Sequence, residues 1–283
     1  MSGGEVRTMI VELDKNDYHL IRPLLKKDTE LDSLLIQAVI NGTNRGHIYV
    51  DDPIQPRTAL IYVVGVIDFF IGDPHNDTFT SHLNTFIDNI YKQVNLDTCG
   101  GTWMISAVFD KEWETVLENA YSQRDYDTDN DLYFQLNADK FHALNKHTPS
   151  LSKEYMLTPL TKEIIEHKQN EELFEDFHDF WNTVDEFINQ GFGMAIIKNG
   201  QAVSTCYTCF VNGSQHEINV ITTEEEENQG FATIVSRAYI QHCLHNGITP
   251  RWSTNETNVS SCKVAEKCGF EYVYKLRTYE FEF

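Results

Sequence analysis

The strongest constraint on the fold is an order of secondary-structure elements that occurs twice along the chain. In each half, hydrophobic periodicity predicts a helical region, three short strands, a helix, a strand, a second helix and a final strand. The halves meet in a stretch with little periodicity, which carries Pro149 and Pro159. We therefore predict an α/β fold (α+β mixed sheet) with an N-terminal domain over 1–145, a linker over 146–169 and a C-terminal domain over 170–283.

The predicted helices rest on apolar residues that recur three or four positions apart. An amphipathic helix is predicted from Leu173 to Phe187, ended by Gly191, and a further helical region lies between Tyr18 and Val39. The other predicted helices cover 79–90, a segment beginning at Lys111, 230–245 and 258–268. The predicted strands cover 47–50, 59–63, 66–71, 102–109, 132–136, 192–198, 202–211, 217–222 and 248–253, and a β-rich stretch runs to Phe283.

Charge and composition exclude several functional classes. The chain has 22 Lys plus Arg against 43 Asp plus Glu, a formal charge of −21, so a phosphate backbone meets net repulsion and we predict no nucleic-acid partner. Apolar runs long enough for a signal peptide or for the ~20 residues of a membrane span are missing, which predicts a cytoplasmic protein without a membrane partner. Cys206 and Cys209 lie three apart in a predicted strand and point to opposite faces, so we predict no metal site.

One segment of the second half contains a strand that turns directly into a helix. Asn228, Gln229 and Gly230 form the turn, and a helix that begins there leaves N–H groups unpaired at the positive end of its dipole. Such groups hold a phosphate or pyrophosphate, and Gly230 allows close approach of the ligand to the backbone. The alternative interpretation is an ordinary capped helix start after a solvated acidic turn.

A second motif follows near the end of the chain. Asn258 begins a predicted helix, Ser261 and Ala265 follow it, and Gly269-Phe270 close the helix into a strand. Together with the residues Glu-Asn-Gln-Gly-Phe-Ala at 227–232, this order resembles the GNAT acyltransferase superfamily, with its [RQ]xxGx[GA] turn and its Asn…Ala/Ser…Tyr…Gly-Phe helix. The stretch Ile-Thr-Pro-Arg-Trp at 248–252 is similar to the group that includes the zwittermicin A resistance acetyltransferases. The resemblance covers 192–283 and extends more loosely to the first half.

The resemblance implies the GNAT acyl-CoA acyltransferase fold in the C-terminal half and a degenerate GNAT-like N-terminal half. It also implies acetyl-CoA as the cosubstrate, bound between two splayed neighbouring strands, and acetyl transfer to a primary amine by direct attack in a ternary complex. Trp252 is predicted to line this cleft. The implied cofactor-binding residues are Val220, Ile221 and Thr222 for the pantetheine arm, Asn228, Gln229, Gly230, Phe231, Ala232 and Thr233 for the pyrophosphate, and Asn258 and Ser261 near the thioester.

The reaction that the resemblance implies needs a base, because a free amine with a pKa of about 10 is protonated at neutral pH. Glu217 is the predicted catalytic residue, since many GNAT enzymes carry such a carboxylate at the start of this strand. The alternative for Glu217 is an exposed charge at a strand end. His216 is a neighbouring candidate, but strand alternation places it on the opposite face.

The sequence departs from the family pattern in three ways. Glu227 stands where the turn commonly has Arg or Gln, and 224–227 are four successive glutamates, which should weaken anion binding unless their side chains point to solvent. Ala265 stands where the family often has a Tyr that protonates the leaving thiolate, so water, Tyr272, Ser261 or no group serves as the acid. These departures motivate an alternative function, a non-catalytic acyl-CoA-binding or scaffold/sensor protein.

The corresponding turn of the first half has a different chemistry. Asp73 and Asp77 add negative charge there and Pro74 removes an N–H, so we predict that this half binds no coenzyme A. The net negative charge of the chain favours a small cationic amine as the acceptor. Dimers are common among GNAT proteins, so the resemblance also implies a homodimer.

Overall fold

The chain divides into two units, and one of them is formed by two separate segments of the sequence. A computed structural model describes residues 10–26, 33–146 and 150–283. Unit 1 comprises Met1–Asp129 together with Leu276–Phe283, and unit 2 comprises Asn130–Lys275. Each unit therefore includes a strand from the opposite half of the sequence.

Unit 1 is built on a mixed sheet. Its strands run in the order β1-β2-β3-β4-β5-β12, in which β4 and β5 pair in parallel and the other described pairs are antiparallel. Only the last part of β12, from Leu276, belongs to this unit. The strands are β1 (Val11–Glu12), β2 (Gly46–Val50), β3 (Thr58–Val63), β4 (Ile67–Gly72), β5 (Trp103–Val108) and β12 (Phe270–Glu282).

The helices of unit 1 cover a core that is rich in aromatic side chains. Within this core the Tyr91 hydroxyl donates to the buried carboxyl group of Asp68 at 2.6 Å. The predicted helical region from Tyr18 to Val39 is two elements, and 27–32 between them lie outside the described residues. The helices are a 3-10 helix (Lys15–Leu24), α1 (Leu34–Asn41), α2 (Asp77–Thr80), α3 (Leu83–Phe86), a π-helical turn (Ile87–Tyr91), α4 (Lys92–Cys99) and α5 (Lys111–Tyr121).

Unit 2 also contains a mixed sheet, and the predicted α/β class is confirmed. Its strands run in the order β12-β6-β11-β10-β9-β8-β7, and the β10–β11 pair is parallel. Residues 130–136 of β6 and 270–275 of β12 belong to this unit. The remaining strands and their bounds are β6 (Asp127–Leu136), β7 (Tyr155–Pro159), β8 (Gly193–Lys198), β9 (Gln201–Asn212), β10 (Gln215–Thr222) and β11 (Thr249–Asn255).

The longest helix of unit 2, α10, packs against β8, β9 and β10. Gly269 follows the last helix with φ +87°, and a Cβ there would lie 2.7 Å from the backbone nitrogen of Phe141, which explains the glycine of the Gly-Phe motif. The helices are α6 (Ala138–Asn145), α7 (Lys162–Ile165), a 3-10 helix (Lys168–Phe174), α8 (Phe177–Phe180), α9 (Val184–Gln190), a 3-10 turn (Glu224–Glu226), α10 (Phe231–His245) and α11 (Val259–Lys267).

The prediction of one continuous helix from Leu173 to Phe187 is wrong. The structure divides this segment into a 3-10 helix, α8 and α9, because Trp181 is extended (φ −126°, ψ 133°) and Thr183 caps a new helix by accepting a hydrogen bond from the Glu186 N–H. The apolar side chains of this segment still face the same part of the core, because the Phe174, Phe177 and Phe187 rings all contact Tyr207.

The segment 146–169 contains regular structure. Strand β7 pairs with β8 from Tyr155↔Lys198 to Pro159↔Met194, and α7 follows it. Residues 147–149, including Pro149, lie outside the described residues. Among the helices of the described ranges, none has the length and apolar content needed to cross a membrane.

Candidate active site

The candidate site lies where β10 and β11 separate. The two parallel strands share register pairs only at Gln215, His216 and Glu217, although β10 continues to Thr222 and β11 to Asn255. β10 stays paired with β9 over its whole length, with a register shift after Glu217. In an antiparallel pair every second residue directs its N–H and C=O groups away from the partner strand, so the half-buried stretch 219–222 presents backbone groups to the gap.

Glu217 lies at the point where the gap begins and is buried, with 6 % of its surface exposed. Burial raises the pKa of this carboxyl group from 4.5 to about 7, and hydrogen bonds from Ser253 and the charge of Arg251 offset part of the rise. The Ser253 hydroxyl donates to Glu217 Oε1 at 2.9 Å. A carboxyl group with this pKa is suited to accept a proton near neutral pH.

Glu217 should also make stability depend on pH. Between pH 4.5 and about 7 the folded protein keeps a proton that the unfolded chain has released, so the free energy of unfolding falls as pH rises. Glu217→Gln should flatten this slope and stabilise the protein above pH 7 by about 3 kcal/mol. Urea unfolding of both proteins from pH 5 to 8 measures the difference, with the exposed Glu225→Gln as the control. Parallel stability profiles for the wild type and Glu217→Gln would contradict the burial argument.

The turn before α10 leaves the helix N-terminus uncapped by a side chain. Gly230 adopts φ +82° and Asn228 φ +60°, and a Cβ on Gly230 would meet no atom within 4 Å. The first backbone bond of α10 runs from the Ile234 N–H to the Gly230 carbonyl, so the N–H groups of Phe231, Ala232 and Thr233 precede the helical ladder. The open space and the helix dipole together fit a phosphate group.

The four glutamates before this turn have two different environments. Glu226 is buried and accepts hydrogen bonds from Lys198 Nζ at 2.5 Å, Gln229 Nε2 at 2.6 Å and Tyr155 Oη at 2.8 Å. The bond from Lys198 is the main reason that the pKa of Glu226 lies below its ordinary value. Glu224, Glu225 and Glu227 are exposed. The acidic run is therefore partly neutralised by Lys198 and otherwise solvated.

The second motif fixes the start of α11, which follows β11 in unit 2. Asn258 caps α11 by accepting a hydrogen bond from the Ser261 N–H at 3.0 Å, and Ser261 Oγ accepts one from Trp252 Nε1 at 3.0 Å. Trp252 is only 4 % exposed, so it fastens α11 to β11, and the expectation that it lines an open cleft is wrong. Ala265 is completely buried.

His216 and the cysteines belong to the packing of unit 2. His216 faces α10, where Thr208 Oγ1 lies 3.1 Å from its Nδ1 and 2.7 Å from the Tyr239 hydroxyl, and burial lowers the pKa of His216 to about 4. Cys206 and Cys209 are buried free thiols. Within residues 10–26, 33–146 and 150–283, no group of three or more His, Cys, Asp and Glu side chains is arranged to hold a metal ion.

The corresponding turn of unit 1 has a different arrangement. The Asp73 N–H donates to the Arg57 carbonyl, the His75 N–H to Asp73 Oδ1 and the Asn76 N–H to the Asp73 carbonyl. A Cβ on Gly72 would lie within 2.3 Å of the Arg57 carbonyl oxygen. These amide groups are already hydrogen-bonded within the protein, in contrast to the open turn before α10.

The sequence analysis predicted Glu217, the stretch 220–222 and the turn before α10 as parts of one site. It did not predict that Ser253 contacts Glu217 or that Lys198 contacts Glu226. Ser253 and Lys198 come from other strands, and they become neighbours of the glutamates only through strand pairing. Alternation along β11 after the Pro-Arg-Trp motif was the available signal for Ser253. Nothing in the sequence indicated Lys198.

Comparisons with known proteins agree with this geometry. A family model described as GNAT acetyltransferase matches residues 22–279. The uncharacterized N-acetyltransferase YdfB of Bacillus subtilis (strain 168) is 27 % identical over 274 residues, which are 96 % of this chain and 98 % of that protein.

Solved structures support the same fold. The GCN5-related N-acetyltransferase-like protein from Streptococcus suis 89/1591 has a TM-score of 0.71 at 22 % identity, over 94 % of this chain and 99 % of that one. A tandem GNAT protein from the clavulanic acid biosynthesis pathway has a TM-score of 0.61 at 11 % identity, over 96 % of this chain and 98 % of that one. Because the family model spans nearly the whole sequence, the chain belongs to the GNAT acetyltransferase family and is an N-acetyltransferase.

Proposed function

We propose that the protein transfers an acetyl group from acetyl-CoA to a primary amine by direct attack in a ternary complex, with Glu217 as the general base. The observation that carries this proposal is the position of Glu217, a buried carboxyl group with a pKa of about 7, where β10 and β11 separate. A base must be within reach of the acceptor and must titrate near the working pH. Glu217 satisfies the second condition, and its place at the mouth of the gap supports the first.

The residues of unit 2 fit coenzyme A. The turn at Asn228, Gln229 and Gly230 and the first N–H groups of α10 would hold the pyrophosphate, and the gap-facing backbone of 220–222 would pair with the pantetheine arm. When bound, acetyl-CoA supplies the acetyl thioester. An N–H of the same stretch of β10 would stabilise the negative charge on the thioester oxygen. Asn258 and Ser261, joined by the cap of α11, would border the thioester end.

The acceptor that we propose is a small cationic amine, such as a polyamine, an amino sugar or an amino-acid derivative. The net charge of −21 supports this class because it attracts cations to the surface of the protein. Membership of the group that includes the zwittermicin A resistance acetyltransferases is a narrower proposal, and it rests on the Ile-Thr-Pro-Arg-Trp stretch. We further propose that the turn at Asp73 of unit 1 binds no coenzyme A, because its amides are hydrogen-bonded within the protein.

The test has two steps, which separate binding from catalysis. Calorimetric titration with acetyl-CoA, beside Gly230→Pro as a variant that disrupts the turn, is expected to give micromolar binding to the wild type only. Screening of spermidine, glucosamine, free amino acids and a Lys-rich peptide for thiol release then identifies the acceptor. Binding of acetyl-CoA without thiol release from any amine would favour a non-catalytic acyl-CoA-binding or scaffold/sensor protein.

The ion pair between Lys198 and Glu226 should affect the affinity for acetyl-CoA. Lys198→Met leaves the Glu226 carboxylate uncompensated beside the N-terminus of α10, so acetyl-CoA should bind several-fold more weakly. Calorimetry at low and high NaCl measures the effect, which should shrink as salt screens the repulsion. Adding Glu226→Gln to Lys198→Met should restore most of the affinity. Equal affinities of the wild type and Lys198→Met would contradict a role for this ion pair.

A further inference from the structure

The proposed reaction releases a thiolate, which must be protonated. The structure argues against three residues as the proton donor. Ala265 is completely buried and carries no acid. Tyr272 is 55 % exposed, and its ring meets edge-on the ring of Phe134, which belongs to the hydrophobic core of unit 2. Ser261 Oγ already accepts a hydrogen bond from Trp252, and an unperturbed serine hydroxyl is a weak acid. A stronger donor on the same face as Glu217 would have to come from another strand.

Tyr133 meets this requirement through the register of three strands. In β10 and β11, Glu217 is the partner of Arg251, and Ser253 lies two residues farther along β11 on the same face. Tyr133 is the partner of Ser253 in the antiparallel pair of β6 and β11. Since Ser253 Oγ contacts Glu217 Oε1 at 2.9 Å, the three side chains form a row across one face of the sheet.

The surroundings of Tyr133 keep its hydroxyl protonated and its ring in place. Burial raises the pKa of Tyr133 well above its ordinary value, and the charges of Asp131 and Glu217 add to the rise. The ring stacks on Tyr274 with centroids 4.7 Å apart and planes 11° apart. A phenol that is fixed in position and fully protonated at neutral pH can donate a proton to a developing thiolate.

We propose that Tyr133 is the general acid of the reaction, in place of the tyrosine that the chain lacks at position 265. This inference rests on the proposed function. In the step, the amine has already lost the proton of its ammonium form to solvent, and its neutral nitrogen forms a bond to the acetyl carbon and loses a second proton to Glu217. The carbon–sulfur bond breaks, its electron pair remains on sulfur, and Tyr133 donates its proton to that sulfur.

The row of side chains also explains how Glu217 and Tyr133 return to their starting protonation states. After one turnover Glu217 holds one extra proton and Tyr133 lacks one, so a single transfer from Glu217 to Tyr133 restores both. Ser253 lies between them in register and is hydrogen-bonded to Glu217. Transfer of the acetyl group to the neutral amine is therefore balanced between Glu217 and Tyr133, and the one further proton, which the ammonium form of the amine loses before it attacks, is released to solvent.

The first test reads the coupling of the two groups without turnover. Site-specific 3-fluorotyrosine at position 133 gives a fluorine NMR signal whose titration reports the ionisation of this phenol. The signal should titrate at higher pH than free 3-fluorotyrosine, and Glu217→Gln should lower that pH because it removes a neighbouring negative charge. A titration that matches the free amino acid and does not respond to Glu217→Gln would overturn the proposal.

The second test is kinetic and uses the best amine from the thiol-release screen. Tyr133→Phe should lower kcat by about 10²-fold or more, with little change in the KM for the amine or in the affinity for acetyl-CoA. Tyr272→Phe removes the same hydroxyl from β12 and should leave kcat unchanged. A rise in the KM of Tyr133→Phe without a loss of kcat would make Tyr133 a wall of the acceptor pocket and overturn its role as acid.

Failure of the proposed function has a different signature. In that case the wild type releases no thiol with any amine, while the fluorine titration still measures the coupling of Tyr133 to Glu217. Thermal unfolding of Tyr133→Phe serves as the folding control. If wild-type thiol release is present and Tyr133→Phe keeps both its fold and its full kcat, the acid is another group.

Discussion

Glu217→Gln is expected to lower kcat by about 10²–10⁴-fold while the affinity for acetyl-CoA stays unchanged. The substitution keeps the shape of the side chain and an oxygen that can accept the hydrogen bond from Ser253, but it removes the ability to accept a proton. In the wild type, kcat/KM should fall about tenfold per pH unit below pH 7, where Glu217 is protonated. Thiol release from pH 5.5 to 9 measures both effects, and the variant should lack the fall centred at about 7.

The control for this experiment is Glu225→Gln, which makes the same chemical change at an exposed residue. It should retain the activity and the pH profile of the wild type. If Glu217→Gln instead weakens acetyl-CoA binding and leaves kcat intact, the role of Glu217 is structural: it maintains the arrangement of β10 and β11. Another group then removes the proton from the amine.

Gly230→Leu is expected to weaken acetyl-CoA binding by at least about tenfold. The glycine has φ +82° and faces open space at the N-terminus of α10, so a leucine side chain would occupy the region in which we place the pyrophosphate. Loss of contacts with the helix N-terminus alone removes up to about 2 kcal/mol, which corresponds to about 30-fold in affinity. Calorimetric titration of the purified variant with acetyl-CoA measures the loss.

Strain from a left-handed residue must be separated from this effect. Gly200 provides a matched control, because it has φ +86°, faces open space and lies in the turn between β8 and β9. Gly200→Leu should destabilise the protein to a similar degree and bind acetyl-CoA like the wild type. Equal losses of affinity in the two variants would mean that strain, and not occupation of the turn, weakens binding.

Local patterns in the sequence were sufficient to predict most strands and the turn before α10. Alternating and apolar runs indicated β8, β9 and β10, and the residues around Gly230 predicted the start of α10 to within one position. These features depend on neighbouring residues and on the freedom of glycine, which a single sequence records. Glu217 was predicted as the catalytic residue from the resemblance to the GNAT family, and this role stays a prediction.

Features that depend on distant residues escaped the sequence analysis. Apolar spacing predicted one helix from Leu173 to Phe187, because spacing does not report that Trp181 is extended and that Thr183 starts a new helix. The hydrogen bond between Ser253 and Glu217 can be predicted only when the register of β10 and β11 is known. The position of Tyr133 beside Ser253 requires, in addition, the register of β6 and β11. Similarly, the pairing of Lys198 with Glu226 joins residues 28 positions apart in sequence.

The division of β12 between the units has a consequence for synthesis on the ribosome. Unit 1 begins near the start of the chain, yet the strand that pairs with β5 is formed by 277–282. Its sheet is incomplete until the end of the sequence has been translated, so β5 remains an exposed edge while more than half of the chain is made. Strand β6 is translated much earlier but waits for β11. Neither half of the gene should therefore yield a stable protein when it is expressed alone.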